Sequence, residues 1–412
     1  MTFGCIGEKL SHSFSKEIHE NITPDRYELL ELSADALKPF IEARAFEGIN
    51  VTIPYKERVI PLLDELDPLA RKIGAVNTIV NRGGRLIGYN TDFYGLCDLI
   101  RHAGISLSGK KVAILGTGGT SKTACAVAEH LGARQIVLVS RTAHANTIDY
   151  GMLYEKHTDI EVLINTTPVG MYPNIDEAPV SLDSFTKLSG VIDAVYNPLR
   201  TRLVLAARQR GITAEGGLYM LIAQAMHAAE LFYKGTYPDA TTDGLYQKIL
   251  RSRENIVLIG MPTSGKSTVG KRLAQQLCRP LIDTDDLFAN KTKQSPGDFI
   301  KAYGEQAFRT LESEIVCELA KTSASVIATG GGAVLKQENV NNLLHNGRIY
   351  FIDRPLEALK PSPTRPLSHD PKALQQLYLQ RLPIYQRAAD VTLSGDGEPD
   401  AFARRILEDF RK

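Results

Sequence analysis

Cysteine is scarce and scattered in this chain of 412 residues. Cys5, Cys97, Cys125, Cys278 and Cys317 form no CxxC pair, and no two lie closer than 28 residues. That pattern builds no disulfide framework and spaces no zinc ligands, so it points to a reducing compartment. Long apolar runs are missing too: no stretch of 18 uncharged apolar residues exists, which excludes a membrane-spanning helix. The opening MTFGCIGEKLSHSF lacks the basic region and apolar core of a signal peptide. The expected location is therefore the cytoplasm. Strong charge of either sign is absent, since the net value is +1. Residues 1–250 carry 25 Lys and Arg against 28 Asp and Glu, which leaves 23 against 19 for residues 251–412. Neither half approaches the basic face of a nucleic-acid binder, and nucleic acid is disfavoured as a partner. Low-complexity tracts, short-period repeats and Gly/Ser linkers are also lacking, and nothing in the residues sets an oligomeric state.

What is present reads as a folded, globular chain. A hydrophobic share of 43% and a charged share of 23% are ordinary for globular chains, and the length suits two to three domains. Two segments read as a buried strand entering a glycine-rich turn and then a helix: KKVAILGTGGTSKTACAVAEHLGA (110–133) and ENIVLIGMPTSGKSTVGKRLAQQL (254–277). A third, VIATGGGAVL (326–335), is a strand and turn with a weaker helix. Such units predict α/β modules with parallel sheets. The charged stretch QKILRSREN (247–255) is the expected boundary between two fused modules.

In the second module GMPTSGKS (260–267) matches G-x-x-x-x-G-K-S/T. Glycines such as Gly260 and Gly265 let backbone N–H groups turn inward around phosphate oxygens, at a helix N-terminus whose dipole is positive. Lys266 suits the β/γ-phosphates, Ser267 suits Mg²⁺, and Thr268 continues the loop. The motif implies ATP. After it come LIDTDDLF (281–288), GEQAFRTLE (304–312), TGGGAV (329–334), TRPL (364–367) and LQRLPIYQ (379–386). In this order the set resembles the shikimate kinases, of the nucleoside-monophosphate-kinase fold, across 254–412. The resemblance implies that Asp283 holds Mg²⁺ beside Ser267 and that Asp285 binds the acceptor hydroxyls, as base or orienter for the attacking oxygen. It implies that Arg309 and Arg381 clamp the shikimate carboxylate, as a planar guanidinium suits. Gly330, Gly331 and Gly332 would offer backbone donors to the substrate ring, and Arg365 would act on ATP and the developing charge. Asp286 is expected to face solvent.

The first module carries LGTGGTSKTA (115–124), where Gly116, Gly118, Gly119 and Thr120 stand in a dinucleotide-type turn, although Lys122 sits near the usual third glycine. The next strand, QIVLV, ends in Ser140-Arg141-Thr142. A positive Arg141, where NAD enzymes place an acidic residue, favours NADP. Seven further segments follow in order: GEKLSHSFSKEIHE (7–20), GINVTIPYKE (48–57), GAVNTIV (74–80), GYNTDFYG (88–95), INTTPVGM (164–171), DAVYNPL (193–199) and GLYMLIAQA (217–225). Together they resemble the shikimate dehydrogenases along nearly all of 1–248. The resemblance implies a two-lobed fold, with 1–100 and 218–250 binding substrate and 101–217 forming a Rossmann-like NADP lobe. It implies that Ser13, Ser15 and Tyr196 bind the substrate carboxylate and that Thr52, Asn77 and Gln224 hold ring hydroxyls. It makes Lys56 and Asp92 the catalytic dyad, consistent with a ketone reduction that needs a proton at oxygen as hydride reaches carbon. His12 and His19 show no partner in the sequence and read as structural or exposed. One departure stands out: residues 142–163 leave room for only a short strand and a helix, where similar enzymes carry a longer segment beside the adenosine.

The joint expectation is one polypeptide that reduces 3-dehydroshikimate with NADPH and then phosphorylates shikimate with ATP and Mg²⁺. Two alternatives stay open: a kinase joined to a non-catalytic, ligand-binding dehydrogenase-like module, and a kinase for a different small acceptor such as gluconate or a nucleotide.

Overall fold

The computed structural model describes residues 2–10, 13–144, 146–361 and 370–411. The chain divides into two units, Met1–Ile249 and Leu250–Lys412. The stretch 247–255, read from its charge as a boundary segment, is mostly helix: Asp239–Arg253 runs through the division and a strand begins at Asn255. In this helix Leu245, Tyr246 and Ile249 are buried, a helical spacing for its apolar face.

The first unit contains two sheets. One is built from β1 (Phe3–Gly7), β2 (Tyr27–Glu31), β3 (Gly48–Val51), β4 (Glu65–Leu66), β5 (Thr78–Arg82) and β6 (Arg85–Tyr89), in the order β2-β1-β3-β5-β6-β4. β1 pairs in parallel with β2 and β3, whereas β3–β5 and β5–β6 are antiparallel. The other contains β7 (Lys111–Leu115), β8 (Gln135–Val139), β9 (Val162–Asn165), β10 (Gly190–Asp193) and β11 (Thr213–Glu215), all parallel, in the order β11-β10-β9-β7-β8. Counted from β7 this is the doubly wound order 2-1-3-4-5, whose switch point lies where β7 meets β9. The short segment after β8 explains the truncated edge. It forms the helix Tyr150–Lys156, but the strand expected there shrinks to single bridges, Val139 with Ile148 and His144 with Thr147.

Two helices carry residues to the gap between these sheets. Asp92–His102 and Leu218–Tyr233 pack against each other, and Leu218–Tyr233 is buried over most of its surface. They meet at Gly95. A Cβ there would lie 2.8 Å from the carbonyl oxygen of Met220 and 2.9 Å from the backbone nitrogen of Gln224. Only a residue without a side chain permits that approach, which sets Asp92 and Gln224 on one seam.

The second unit has one parallel sheet of β12 (Asn255–Ile259), β13 (Leu281–Asp283), β14 (Val326–Ala328), β15 (Gly347–Asp353) and β16 (Val391–Ser394), in the order β13-β14-β12-β15-β16. Every residue of β12 and β14 is buried, as expected for parallel strands covered on both faces. The carboxyl ends of β12, β13 and β14 lead into the three motifs singled out in the sequence. No helix among the described residues is long and apolar enough to cross a membrane.

Candidate active sites

A cavity of about 190 Å³ in the first unit gathers Ser15, Thr52, Lys56, Asn77, Asp92, Thr120, Tyr196 and Gln224. Lys56 follows β3 and Asp92 opens its helix, and the ammonium donates to the Asp92 Oδ2 at 2.5 Å. Both side chains are largely covered, at 15% and 8% exposure, so the pair is shielded from the screening that weakens surface ion pairs. The other carboxylate oxygen accepts from the Asn77 amide at 2.9 Å. Gln224 returns its amide to the carbonyl of Leu221 at 2.8 Å, which leaves its oxygen facing the Asn77 amide at 3.3 Å. The site thus presents acceptors where hydroxyls of a polyol ring would donate.

At the other end of the cavity Ser13 donates to Ser15 at 3.1 Å, and Tyr196 packs on Phe14 with ring centroids 5.2 Å apart. Burial pushes the Tyr196 phenol up to about 12, so it stays a neutral hydroxyl suited to a carboxylate. Its strand end is anchored by the fully buried Asp193, which accepts from Thr201, Asn165 and the Val195 backbone at 2.7, 2.9 and 3.0 Å. Burial raises this carboxyl to about 6 against the pull of those donors. Cys5 also lines the cavity, but burial pushes its thiol up to about 12 and leaves it unreactive. His19 is buried and stacked on Tyr27 at 4.1 Å, in keeping with a structural role. His12 lies outside the described residues.

The dinucleotide-type turn borders the same cavity. Gly116 has φ +110, Gly118 caps the helix Gly119–His130, and a Cβ on Gly119 would stand 3.4 Å from the Lys56 Cβ. A helix start with open backbone donors fits a pyrophosphate, and it lies within reach of the Lys56 stem. Ser140, at the end of β8, bonds to the carbonyl of Thr142 and to the Thr147 hydroxyl, while Arg141 and Thr142 are exposed.

In the second unit Gly260 (φ +146) and Gly265 (φ +92) turn the loop after β12. Buried Lys266 donates to the carbonyls of Gly260 and Met261 at 3.0 and 2.8 Å, spanning the cradle from inside. Ser267 donates to the Asp283 Oδ2 at 2.6 Å, which sets side by side two oxygens of the hard kind that Mg²⁺ takes. Thr268 is exposed beside them. Thr263 takes a left-handed backbone (φ +65), unusual for a β-branched residue. Its hydroxyl accepts from the Lys360 N–H at 3.2 Å and lies 3.1 Å from the Lys360 carbonyl.

The acceptor side is built around Gly330. A Cβ on that residue would meet the Asp285 Oδ1 and the Glu312 Oε1, each at 3.0 Å. The Gly330 N–H donates to the Thr284 hydroxyl at 2.7 Å, so the backbone donor expected from Gly330 is already engaged. The Gly331 carbonyl accepts from Arg381 at 2.9 Å and from Tyr385. Gly332 has no Cβ because the Arg309 guanidinium fills that space. Arg309 donates to Glu312 at 2.6 Å and Glu305 at 3.0 Å. Burial raises the Glu312 carboxyl even against the charge of Arg309. The sequence reading gave Glu312 no role, although its place three residues after Arg309 on one helix was the available signal. Asp286 is exposed, as expected, and Arg365 lies outside the described residues.

Known proteins resemble both units. The family model for the shikimate dehydrogenase substrate binding domain matches residues 5–79, and that for shikimate kinase matches residues 262–411. A shikimate dehydrogenase (NADP(+)) of Clostridium perfringens is 37% identical over 265 residues, covering 60% of this chain and 97% of that relative. The crystal structure of shikimate dehydrogenase 1 from Peptoclostridium difficile is 36% identical, with a TM-score of 0.56 over 60% of this chain and 98% of that one. The Thermus thermophilus shikimate 5-dehydrogenase in complex with NADP(H) and shikimate is 28% identical, with a TM-score of 0.55 over 60% of this chain and 99% of that one.

Proposed function

Because the chain belongs to the shikimate dehydrogenase family and carries a shikimate kinase domain at residues 262–411, we propose that it performs two consecutive steps on one carbon skeleton. The first unit reduces 3-dehydroshikimate to shikimate, and the second phosphorylates the 3-hydroxyl of shikimate. The product of one reaction is the substrate of the other. The observation that carries the first reading is the Lys56–Asp92 pair, 2.5 Å apart, beside the turn at Gly119.

NADPH supplies the hydride when bound. Lys56 delivers a proton to the ketone oxygen, and Asp92 holds the ammonium in place. Ser13, Ser15 and Tyr196 anchor the substrate carboxylate, while Thr52, Asn77 and Gln224 take ring hydroxyls. Gly116, Gly118, Gly119 and Thr120 cradle the pyrophosphate, and Ser140, Arg141 and Thr142 face the 2′-phosphate. In the second unit the loop from Gly260 to Thr268, with Lys266, holds ATP, and Ser267 with Asp283 holds Mg²⁺, which neutralises phosphate charge. Asp285 orients the attacking hydroxyl, and Arg309 with Arg381 clamps the carboxylate, so that catalysis is positioning plus charge stabilisation. Arg365 belongs to the same proposal. A coupled assay with 3-dehydroshikimate, NADPH, ATP and Mg²⁺ tests both halves. NADPH consumption and ADP release are both expected.

One observation favours a second reading, a kinase joined to a ligand-binding first unit: the adenosine edge beyond β8 is reduced to two isolated bridges with one short helix. Incubation with shikimate and NADP⁺, followed at the reduced-nicotinamide band, separates the two. No absorbance change would favour the binding module.

A further inference from the structure

The hydrogen bonds around Asp92 do not stop at Asn77. They continue through Thr91, Thr78 and Asn50 to Tyr27, which lies on β2 outside the cavity. Each link is at most 6% exposed: Tyr27 1%, Asn50 6%, Thr78 0%, Thr91 1% and Asn77 3%. Such burial leaves the direction of the bonds to be set by the protein, and main-chain groups set it. The Asn50 amide approaches the Asn77 main-chain carbonyl at 3.4 Å and the Thr78 hydroxyl at 3.0 Å, so the Asn50 oxygen faces Tyr27 and accepts from its phenol at 2.7 Å. Thr78 accepts from Asn50, which leaves its own proton for the Asn77 Oδ1 at 3.3 Å or the Thr91 hydroxyl at 3.1 Å. The Thr91 N–H donates to the Asn77 Oδ1 at 2.7 Å, which turns the Asn77 amide toward the Asp92 Oδ1 at 2.9 Å. Tyr27, Asn50 and Thr78 can therefore each donate one step toward Asn77, whose amide serves the Asp92 Oδ1 and, with its other hydrogen, the Thr91 hydroxyl at 2.9 Å.

We propose that Tyr27, Asn50 and Thr78 are positioning residues of the dehydrogenase site, a one-way donor chain that fixes the Asn77 amide on one oxygen of Asp92 and leaves the other for Lys56. The inference rests on the dehydrogenase reading given above. Donor chains in a dry interior polarise one another, so a cut far from Asp92 is felt at its end, with an effect that fades with distance. None of the three residues needs to touch the reacting atoms.

The test uses the full chain with Thr78→Val, Thr78→Ser and Tyr27→Phe, and the near-ultraviolet circular dichroism and melting of the first unit report the amount of it that is folded. In shikimate oxidation by NADP⁺, Thr78→Val lowers kcat five- to tenfold and Tyr27→Phe two- to threefold. The KM for shikimate stays within twofold, and Thr78→Ser restores kcat. A second arm needs no turnover: with ¹⁵N-asparagine labelling, Tyr27→Phe moves the Asn77 side-chain amide resonance, identified by its loss in Asn77→Asp. A Thr78→Val enzyme within twofold of normal kcat, a Thr78→Ser enzyme no better than Thr78→Val, or an Asn77 resonance unmoved by Tyr27→Phe overturns the proposal. If the unmodified protein oxidises no shikimate, the dehydrogenase reading fails, and the resonance arm alone decides the positioning chain.

Discussion

The two candidate sites handle charge in opposite ways. In the first unit one ion pair, Lys56 with Asp92, is framed by neutral amides and hydroxyls whose orientations are fixed by main-chain groups. In the second unit the cations already hold internal partners: Lys266 the carbonyls of its own loop, Arg309 the carboxylates of Glu305 and Glu312, Arg381 the carbonyl of Gly331. A small proton moves in the first reaction and a highly charged phosphoryl group in the second. A proton needs donors that do not turn. A polyanion can displace placeholders, and those placeholders keep buried cations from standing uncompensated while it is absent.

The sharpest way to break this contrast is to show that the two chemistries are not separable. Lys266→Met removes the fixed cation nearest the β/γ-phosphates and is expected to lower phosphorylation by about 10²- to 10³-fold or more. Shikimate oxidation should continue near its normal rate. Asp92→Asn should do the reverse, since it disables the proton-transfer pair and touches no phosphate ligand. A loss of more than about tenfold in dehydrogenase turnover for a folded Lys266→Met protein, about 1.4 kcal/mol of barrier, would end the picture of independent sites.

The placeholder idea is sharpened at Arg309. Arg309→Ala should raise the kinase KM for shikimate about 10- to 150-fold, the loss of a charge-assisted bidentate contact, with little change for ATP. It should also destabilise the second unit, because Glu312 is then buried without its partner. Adding Glu312→Gln should return the melting temperature without returning the KM. Arg381→Ala should raise the same KM over a similar range. If neither arginine altered shikimate dependence, the acceptor would not be a carboxylate held here.

A smaller effect concerns the neutral character of the first unit. Burial lowers the His19 imidazole to about 3, against a hydrogen bond to Asn50 that raises it. The folded state thus excludes a proton that the unfolded chain takes up below its ordinary 6.5. The stability this contributes is present above pH 6.5 and is lost as pH falls toward 3. Between pH 7 and 5 the loss from this group is about 2 kcal/mol, and urea titrations of the first unit should show a flatter profile for His19→Phe. An unchanged slope would remove His19 as the cause. The smallest effect is expected at exposed Arg141. Arg141→Ala should raise the KM for NADPH about five- to tenfold while leaving NADH almost untouched, as for a solvent-exposed charge contact. Equal efficiency of the unmodified enzyme with both cofactors would dismiss the 2′-phosphate role.

What could be read from the sequence followed how local the physical demand was. The loop at 260–267 announces itself because turning backbone donors onto phosphate requires glycines at fixed spacing. The short adenosine segment was visible from its length alone, and two isolated bridges with one short helix are its structural outcome. Lys56 and Asp92 had no local signature, since their pairing depends on a loop after β3 and a helix start 36 residues later. The donor chain from Tyr27 was hidden for the same reason. The charged stretch at 247–255 contains the division at Ile249, but its helical form was not legible, because charge alone does not separate a helix face from a linker. The bond from the Gly330 N–H to the Thr284 hydroxyl was not legible either, because Thr284 comes from another strand end.

The seam at Gly95 has a mechanical consequence. The two helices there are separated by a hydrogen atom where any other residue would insert a methyl group, so the spacing between Asp92 and Gln224 is gauged by the thickness of one atom. A substitution to Ala at this point acts as a shim. It adds no charge, removes no hydrogen bond and alters nothing the substrate would touch, yet it wedges the seam that sets Asp92, the partner of Lys56, beside Gln224. A position that carries no chemistry of its own thus leaves this site little tolerance.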